Sequence, residues 1–484
     1  MFEIANETRF RSYRYLLPLM LVSASLVGCG EPSDMEFAPH PRVFNLMPKA
    51  QDVVNSTVNT HFGEPGSLHA WDAVPVDFGM VTGAVTEVAD AAEGQKKLTI
   101  ELEEESEKDL TGDSVQFYRE DEEGEEVIDF IRVLNHDPAT NTVVVSGEYF
   151  PEAEAEVSIG GHQLIEGQRL YMKHCVHCHG VTGDGEGATA KYLNPKPRDF
   201  RLGLFKFKST DYSDKPSHDD LLRTLDDGIP GTYMPSFKLL PEKEKASIVE
   251  YVRWLSMRGE IEKRLIDFFE GDFSMLAYEE AKEDSEEEVE YLEQDLQDLV
   301  LDELPDELEA ITEQIAAKWE QADKKSSIVK PTKPRVEDTL DSRLRGKELY
   351  TSLKCVTCHG PLGNGDGSET ETYKTDPLTQ VTYSEPGLYD SWGSLVKPRN
   401  LRLGQYRGGH RPIDVFRRIK AGIPGTPMQG FASAANDNQI WDIVNYVLSL
   451  PHQDPSVEFN TASPAETTST SPSGTDSSSG SEGE

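Results

Sequence analysis

Two stretches of this chain are copies of one another, and that duplication limits its architecture more than any other feature. The first copy opens with GQRLYMKHCVHCHGVTGDGEG from Gly167 and the second with GKELYTSLKCVTCHGPLGNGDG from Gly346. PRDFRLG from Pro197 answers PRNLRLG from Pro398, and GIPGTYMPSF from Gly228 answers GIPGTPMQGF from Gly422. Each copy closes on an apolar stripe at helical spacing: Ile248, Val249, Val252 and Leu255 in one, Ile440, Ile443, Val444, Val447 and Leu448 in the other. Two copies of about 100 residues predict two small tandem domains. The second carries extra residues, roughly 368 to 395, whose Tyr373, Tyr383, Tyr389 and Trp392 read as local packing.

The chemistry lies in Cys175-Val176-His177-Cys178-His179 and Cys355-Val356-Thr357-Cys358-His359. C-x-x-C-H is the pattern of covalent c-type haem attachment. Two thiols three positions apart on a helical turn can each add to a haem vinyl group, and the following histidine is then held beneath the iron. A methionine thioether at the sixth position raises the reduction potential. Met234 and Met428 occupy the same place in each repeat, 55 and 69 residues beyond His179 and His359. The expected iron ligands are therefore His179 with Met234 and His359 with Met428, on two covalently bound haem c groups. Zinc is the alternative; with only these four cysteines in the repeats, an all-cysteine site would have to pair the two copies and leave both histidines unexplained.

The repeats resemble class I cytochrome c domains, in particular those of subunit III of cbb3-type oxidases, over roughly residues 162–258 and 336–451. That resemblance implies a mainly α fold in which the CxxCH helix and the C-terminal helix cross over the haem. It implies a proline carbonyl holding the proximal imidazole, for which Pro197 and Pro398 match best and Pro195 is a rival. The recurring Arg198, Arg201, Arg399 and Arg402 are candidates for the haem propionates, because guanidinium pairs carboxylates in bidentate fashion. The chain departs from that oxidase subunit in having no transmembrane helix.

Outside the repeats, residues 1–28 read as a lipoprotein signal peptide: Arg9, Arg11 and Arg14 precede an apolar run ending in Leu26-Val27-Gly28-Cys29, with Cys29 as the lipidated residue. Residues 29–160 hold a short helix over 53–62 and then alternating runs that predict a small antiparallel β module. The two domains are expected at 161–260 and 336–452. Between them, 261–335 is an acidic connector; Asp267 to Asp323 contains 22 acidic residues against Lys282 and Lys318. Val289, Leu292, Leu296 and Leu299, then Leu304, Leu308, Ile311 and Ile315, predict two amphipathic helices, with Pro305 at the start of the second. Residues 453–484 are a Ser/Thr-rich tail expected to be disordered.

The formal net charge is −40, which excludes a polybasic nucleic-acid binder. No run approaches the roughly 20 apolar residues of a spanning helix. Bases nevertheless crowd the loops after each CxxCH: Lys191, Lys196, Arg198, Arg201, Lys206 and Lys208 face only Asp199 in residues 191–208. These loops are expected to form basic collars on which the acidic connector docks. With both iron positions filled by protein, the expected function is single-electron transfer rather than catalysis. The chain reads as an exported, lipid-anchored dihaem cytochrome on the periplasmic side of the cell envelope, exchanging electrons with redox proteins in a respiratory chain, near a terminal oxidase. The alternative is a dihaem peroxidase or the haem subunit of a periplasmic dehydrogenase.

Overall fold

The computed structural model describes residues 35–453, apart from 107, 122, 123, 125 and 378. The signal segment, Cys29 and the Ser/Thr-rich tail lie outside the described residues. The first helix, α1 (Pro48–Phe62), starts five residues before the expected Val53, because a proline in the first turn gives up only an N–H that a helix start leaves unpaired anyway. A two-residue hairpin follows, β1 (Gly63–Glu64) and β2 (Ser67–Leu68).

Residues 81–160 close into a six-stranded antiparallel barrel: β3 (Val81–Asp90), β4 (Gln95–Leu102), β5 (Ser114–Glu120), β6 (Glu126–Asp137), β7 (Thr142–Ser146) and β8 (Glu156–Gly160), in the order β3-β4-β7-β6-β5-β8. The register places buried residues opposite one another, with Val85 facing Ile100, Leu98 facing Val143, Val115 facing Ile159 and Val133 facing Val145. These side chains fill the interior, so the barrel is a packed core with no open sheet edge. The closing strand, β8, was not expected. It has five residues behind a run of Glu and Ala, too short to show alternation, and gains its place by pairing with both β3 and β5.

The first repeat supplies α2 (His162–His174), α3 (Val176–His179), α4 (His218–Asp227) and α5 (Glu242–Phe269). The acidic segment follows as α6 (Met275–Asp284), α7 (Glu286–Asp302) and α8 (Leu304–Asp323). The second repeat supplies α9 (Leu340–Ser352), α10 (Val356–His359), a small hairpin of β9 (Leu388–Tyr389) and β10 (Leu395–Val396), then α11 (Pro412–Ala421) and α12 (Asp437–Ser449). Among the described residues no helix is long and apolar enough to cross a membrane.

The domain boundaries differ from those expected. Helix α5 runs through residue 260, because Ile261, Leu265, Ile266 and Phe269 continue its buried stripe. Gly259 does not end it, since the backbone of Arg201 crosses there; an added Cβ would lie 2.8 Å from the Arg201 carbonyl oxygen. One hydrophobic core unites the segment from Val43 to Phe78, the first repeat, and Leu296 to Trp319 of the acidic segment. The expected N-terminal module is thus two things: residues 35–80 buttress the first repeat, and the barrel follows as a separate core. Helix α5 is enclosed on several sides, which is why it also buries charge. Its Arg253 reaches Asp323 at 3.1 Å, and Trp319 donates its indole N–H to Glu260 at 2.9 Å.

The acidic connector has three helices, not two, and its acids pair with Arg42, Lys49 and Arg253 rather than with the bases of the collars. It attaches through an apolar stripe, with Ile311, Ile315, Trp319 and Ala322 buried. At about 25 cal/mol per Å² of apolar surface such a stripe outweighs screened surface charge. The bases beside the first site instead face the second repeat: Lys206 pairs with Asp390 at 2.9 Å.

Candidate haem sites

Each repeat builds the same framework. Helix α2 crosses α5 at Gly167, and α9 crosses α12 at Gly346. One turn beyond the crossing, Tyr171 donates its hydroxyl to the Gly180 carbonyl at 2.8 Å, and Tyr350 does the same to Gly360 at 2.8 Å. Each phenol therefore ties its long helix to the end of the CxxCH turn. Tyr171 also packs on Tyr251, with ring centroids 5.1 Å apart, as Tyr350 packs on Tyr446 at 5.4 Å.

The imidazoles are oriented alike. His179 Nδ1 lies 3.2 Å from the Arg198 carbonyl, and His359 Nδ1 lies 3.2 Å from that of Arg399. A carbonyl only accepts, so Nδ1 carries the proton and Nε2 keeps the lone pair that an iron requires. Burial pulls His179 down to about 4 and lowers His359, against the carbonyl bond that raises each. Both rings are therefore neutral at physiological pH. Phe200 stacks on His179 at 4.7 Å and fixes its plane.

Here the expected residue shifts by one. The acceptors are Arg198 and Arg399, not Pro197 and Pro398. The proline carbonyls turn to the glycine loop instead, where Cβ atoms added at Gly185 and Gly365 would lie 2.9 and 2.5 Å from them. Pro195 lies on the cavity wall after a cis Asn194–Pro195 bond.

The methionine loops repeat the agreement. The N–H of Ile229 donates to the Met234 carbonyl at 3.1 Å and that of Ile423 to the Met428 carbonyl at 2.9 Å. Thr232 and Thr426 each donate a hydroxyl to the isoleucine carbonyl at 2.8 Å and accept from the methionine N–H. GIPGT-x-M is thus a self-bonded turn that presents its methionine in one conformation.

In the first repeat Cys175, Cys178, His179 and Met234 line one cavity of about 440 Å³, with Leu221, Leu225, Phe237, Ile248, Val249 and Val252 among its walls. The walls are largely apolar, as a flat porphyrin needs. The thiols stand free in both repeats. Burial pushes Cys175 up to about 12 and Cys355 up to about 11. Among the described residues no three His, Cys, Asp or Glu side chains converge as a metal-ion set, so the four thiols do not assemble the alternative zinc site. The residues of the first cavity fit a haem, and the second repeat carries the same histidine and methionine turns.

The four expected propionate arginines separate. Arg201 is buried and committed to Asp199 at 2.9 Å. Arg402 donates to the Gln453 carbonyl, and Arg399 to the Gln405 carbonyl at 2.6 Å. Arg198 remains on the wall of the first cavity. Lys206 and Arg407 line it too. Lys206 was expected in a basic collar for the acidic connector, and Arg407, from the loop after the second CxxCH, lies 228 residues beyond His179, so no local pattern could place it there. His218 is held by Glu250 at 3.1 Å.

The family model of cytochrome c matches the chain twice, over residues 164–256 and 344–451. The two repeats are cytochrome c domains. Cytochrome c domains imply covalently bound haem c and haem-based electron transfer. No curated protein matches the chain. A solved chain of the Kuenenia stuttgartiensis reducing HAO-like protein complex is similar at 26% identity, over 59% of this chain and 95% of that one, with a TM-score of 0.39.

Proposed function

We propose that the protein is an exported dihaem cytochrome that passes single electrons between redox proteins of a respiratory chain, anchored to the periplasmic side of the cell envelope through a lipid on Cys29. One observation carries the electron-transfer part: both domains offer a neutral imidazole and a methionine held by the same self-bonded turn. When bound, each haem iron takes up and gives back one electron. His179 and Met234, with His359 and Met428, would fill its two axial positions and leave no open site for a substrate. The place near a terminal oxidase rests on the likeness to cbb3 subunit III in the CxxCH, PRxxRLG and GIPGT-x-M motifs.

In the oxidised protein both haems should be low-spin, with the weak near-infrared band of iron–thioether ligation. Met428→His should remove about half of that band and lower one midpoint potential, because imidazole stabilises the oxidised iron more than a thioether does. A high-spin haem in the wild type would contradict this and favour a peroxidase. The anchor has its own test. Cys29→Ser should release the protein from membranes with both haems in place; retention in high salt would point to an uncleaved signal segment or a membrane partner.

A further inference from the structure

The first haem cavity is finished by the second domain. Its wall includes Arg198 and Lys206 from the first domain and Arg407 from the second. The Arg198 guanidinium lies 3.8 Å from the centroid of the Trp392 ring, and Lys206 Nζ lies 5.7 Å from it. Trp392 comes from the insertion that distinguishes the second repeat. It is wedged against the Met428 loop, where a Cβ added at Gly425 would lie 2.6 Å from its Cη2. The contact is reciprocal: Arg399, whose carbonyl faces His359, lies against the Met234 loop, where a Cβ added at Gly231 would lie 2.7 Å from its Nη2.

Two buried donors at this junction have no partner, Arg407 Nε and Trp392 Nε1. Buried donors are seldom left unpaired, because each loses its water without replacement. Charge points the same way. Arg198, Lys206 and Arg407 are three cations; Lys206 pairs with Asp390, while Asp199, which also acts on Arg198, is already paired with Arg201. Two positive charges stay uncompensated in a half-buried place, which is costly without an anion. A haem carries two carboxylates.

We propose that the propionates of the first haem are gripped across the domain interface, by Arg198 and Lys206 from one side and by Arg407 with the Trp392 indole N–H from the other. This rests on a haem occupying the first domain. The clamp makes the two cytochrome domains one redox unit: the second domain sets the charge around the first haem, and Trp392 of the insertion lies under the Arg198 guanidinium. Arg201 and Arg402, the other propionate candidates of the repeat pattern, take no part, being committed to Asp199 and the Gln453 carbonyl.

The test uses the full-length holoprotein in a Met428→His background, where the near-infrared band reports on the Met234 haem alone. Removing a cation beside a propionate disfavours the electron. Arg407→Gln should therefore lower the affinity of the first haem for its electron about tenfold, which is about 59 mV for a one-electron couple. Trp392→Phe keeps the ring and removes the N–H, and should move the same potential in the same direction by less. Arg223→Gln is the control, because it removes a cation that bridges the domains to Asp414 at 3.3 Å without lining the cavity. An unmoved potential in Arg407→Gln overturns the clamp, and so does an equal shift in Arg223→Gln, which would trace the effect to a loosened interface. A wild-type chain with no haem on the first domain would overturn the proposed function and the clamp together; two haems with no shift would overturn the clamp alone.

Discussion

Cys355→Ala combined with Cys358→Ala should leave the chain with one covalent haem instead of two. Thioether attachment needs both sulfurs of a CxxCH turn, and the two turns belong to separate cores. The second domain is built around Tyr350, Phe416, Trp441 and Val444, whereas the first shares its core with the N-terminal helix and the acidic segment. Loss of the second haem should therefore spare the first. Haem absorbance per polypeptide should fall by about half, and haem-stained denaturing gels should keep a band at full length. The second domain should also lose stability, since the apolar side chains that would pack on the haem lose that contact and leave a cavity. Its far-ultraviolet signal should melt earlier than that of the first domain. Two haems retained after denaturation would refute the attachment.

Gly167→Ala and Gly346→Ala should each destabilise their domain by about 3 kcal/mol, the upper end of what overpacking a tight contact costs. At Gly167 the added Cβ would press into the Ser247 carbonyl and lie 2.9 Å from Tyr251 Cβ. At Gly346 it would press into the Asp442 carbonyl and lie 2.8 Å from Tyr446 Cβ. Real Cβ atoms essentially never come within 3.0 Å of such neighbours, so the crossing helices must part. The crossing is also the foundation of the site. Tyr171 lies one turn from Gly167 and anchors the CxxCH turn, while Ile248, Val249 and Val252 of the facing helix line the cavity. Parting the helices should therefore weaken the iron–thioether band as well as lower the denaturant midpoint. Gly271→Ala meets nothing within 4 Å and should change stability by less than about 0.5 kcal/mol. Equal midpoints for Gly167→Ala and Gly271→Ala would show that the crossing is not tight.

The candidate iron ligands can be named from the sequence because their chemistry is local. A CxxCH turn fixes two thiols and an imidazole within five residues, and GIPGT-x-M closes on itself through its own backbone and threonine. The duplication then supplied the check that a single copy lacks, since each ligand appears at the same place twice. The amphipathic stripes of α5, α7, α8 and α12 were legible for a related reason: one apolar face repeating every three or four residues needs no knowledge of what covers it.

What covers each face was not legible. The stripe on α8 and the run from Val43 to Phe62 give no sign that both bury against the first cytochrome domain, because burial between segments hundreds of residues apart leaves no local mark. The imidazole acceptor moved from Pro197 to Arg198 for a smaller-scale reason, since backbone direction at one residue depends on the loop packed beside it. The arginines show the difference most clearly. Arg198, Arg201, Arg399 and Arg402 look equivalent in the repeats, yet Arg201 is spent on Asp199 and Arg402 on the chain after the last helix, while Arg198 is left beside Lys206 and Arg407. The sequence by itself determined two cytochrome c repeats and a candidate ligand set in each, because covalent attachment and coordination reach only a few ångströms along or across one small domain. Only the tertiary structure decided which charges stand beside the first haem, because a charge acts through space and its neighbours come from both domains.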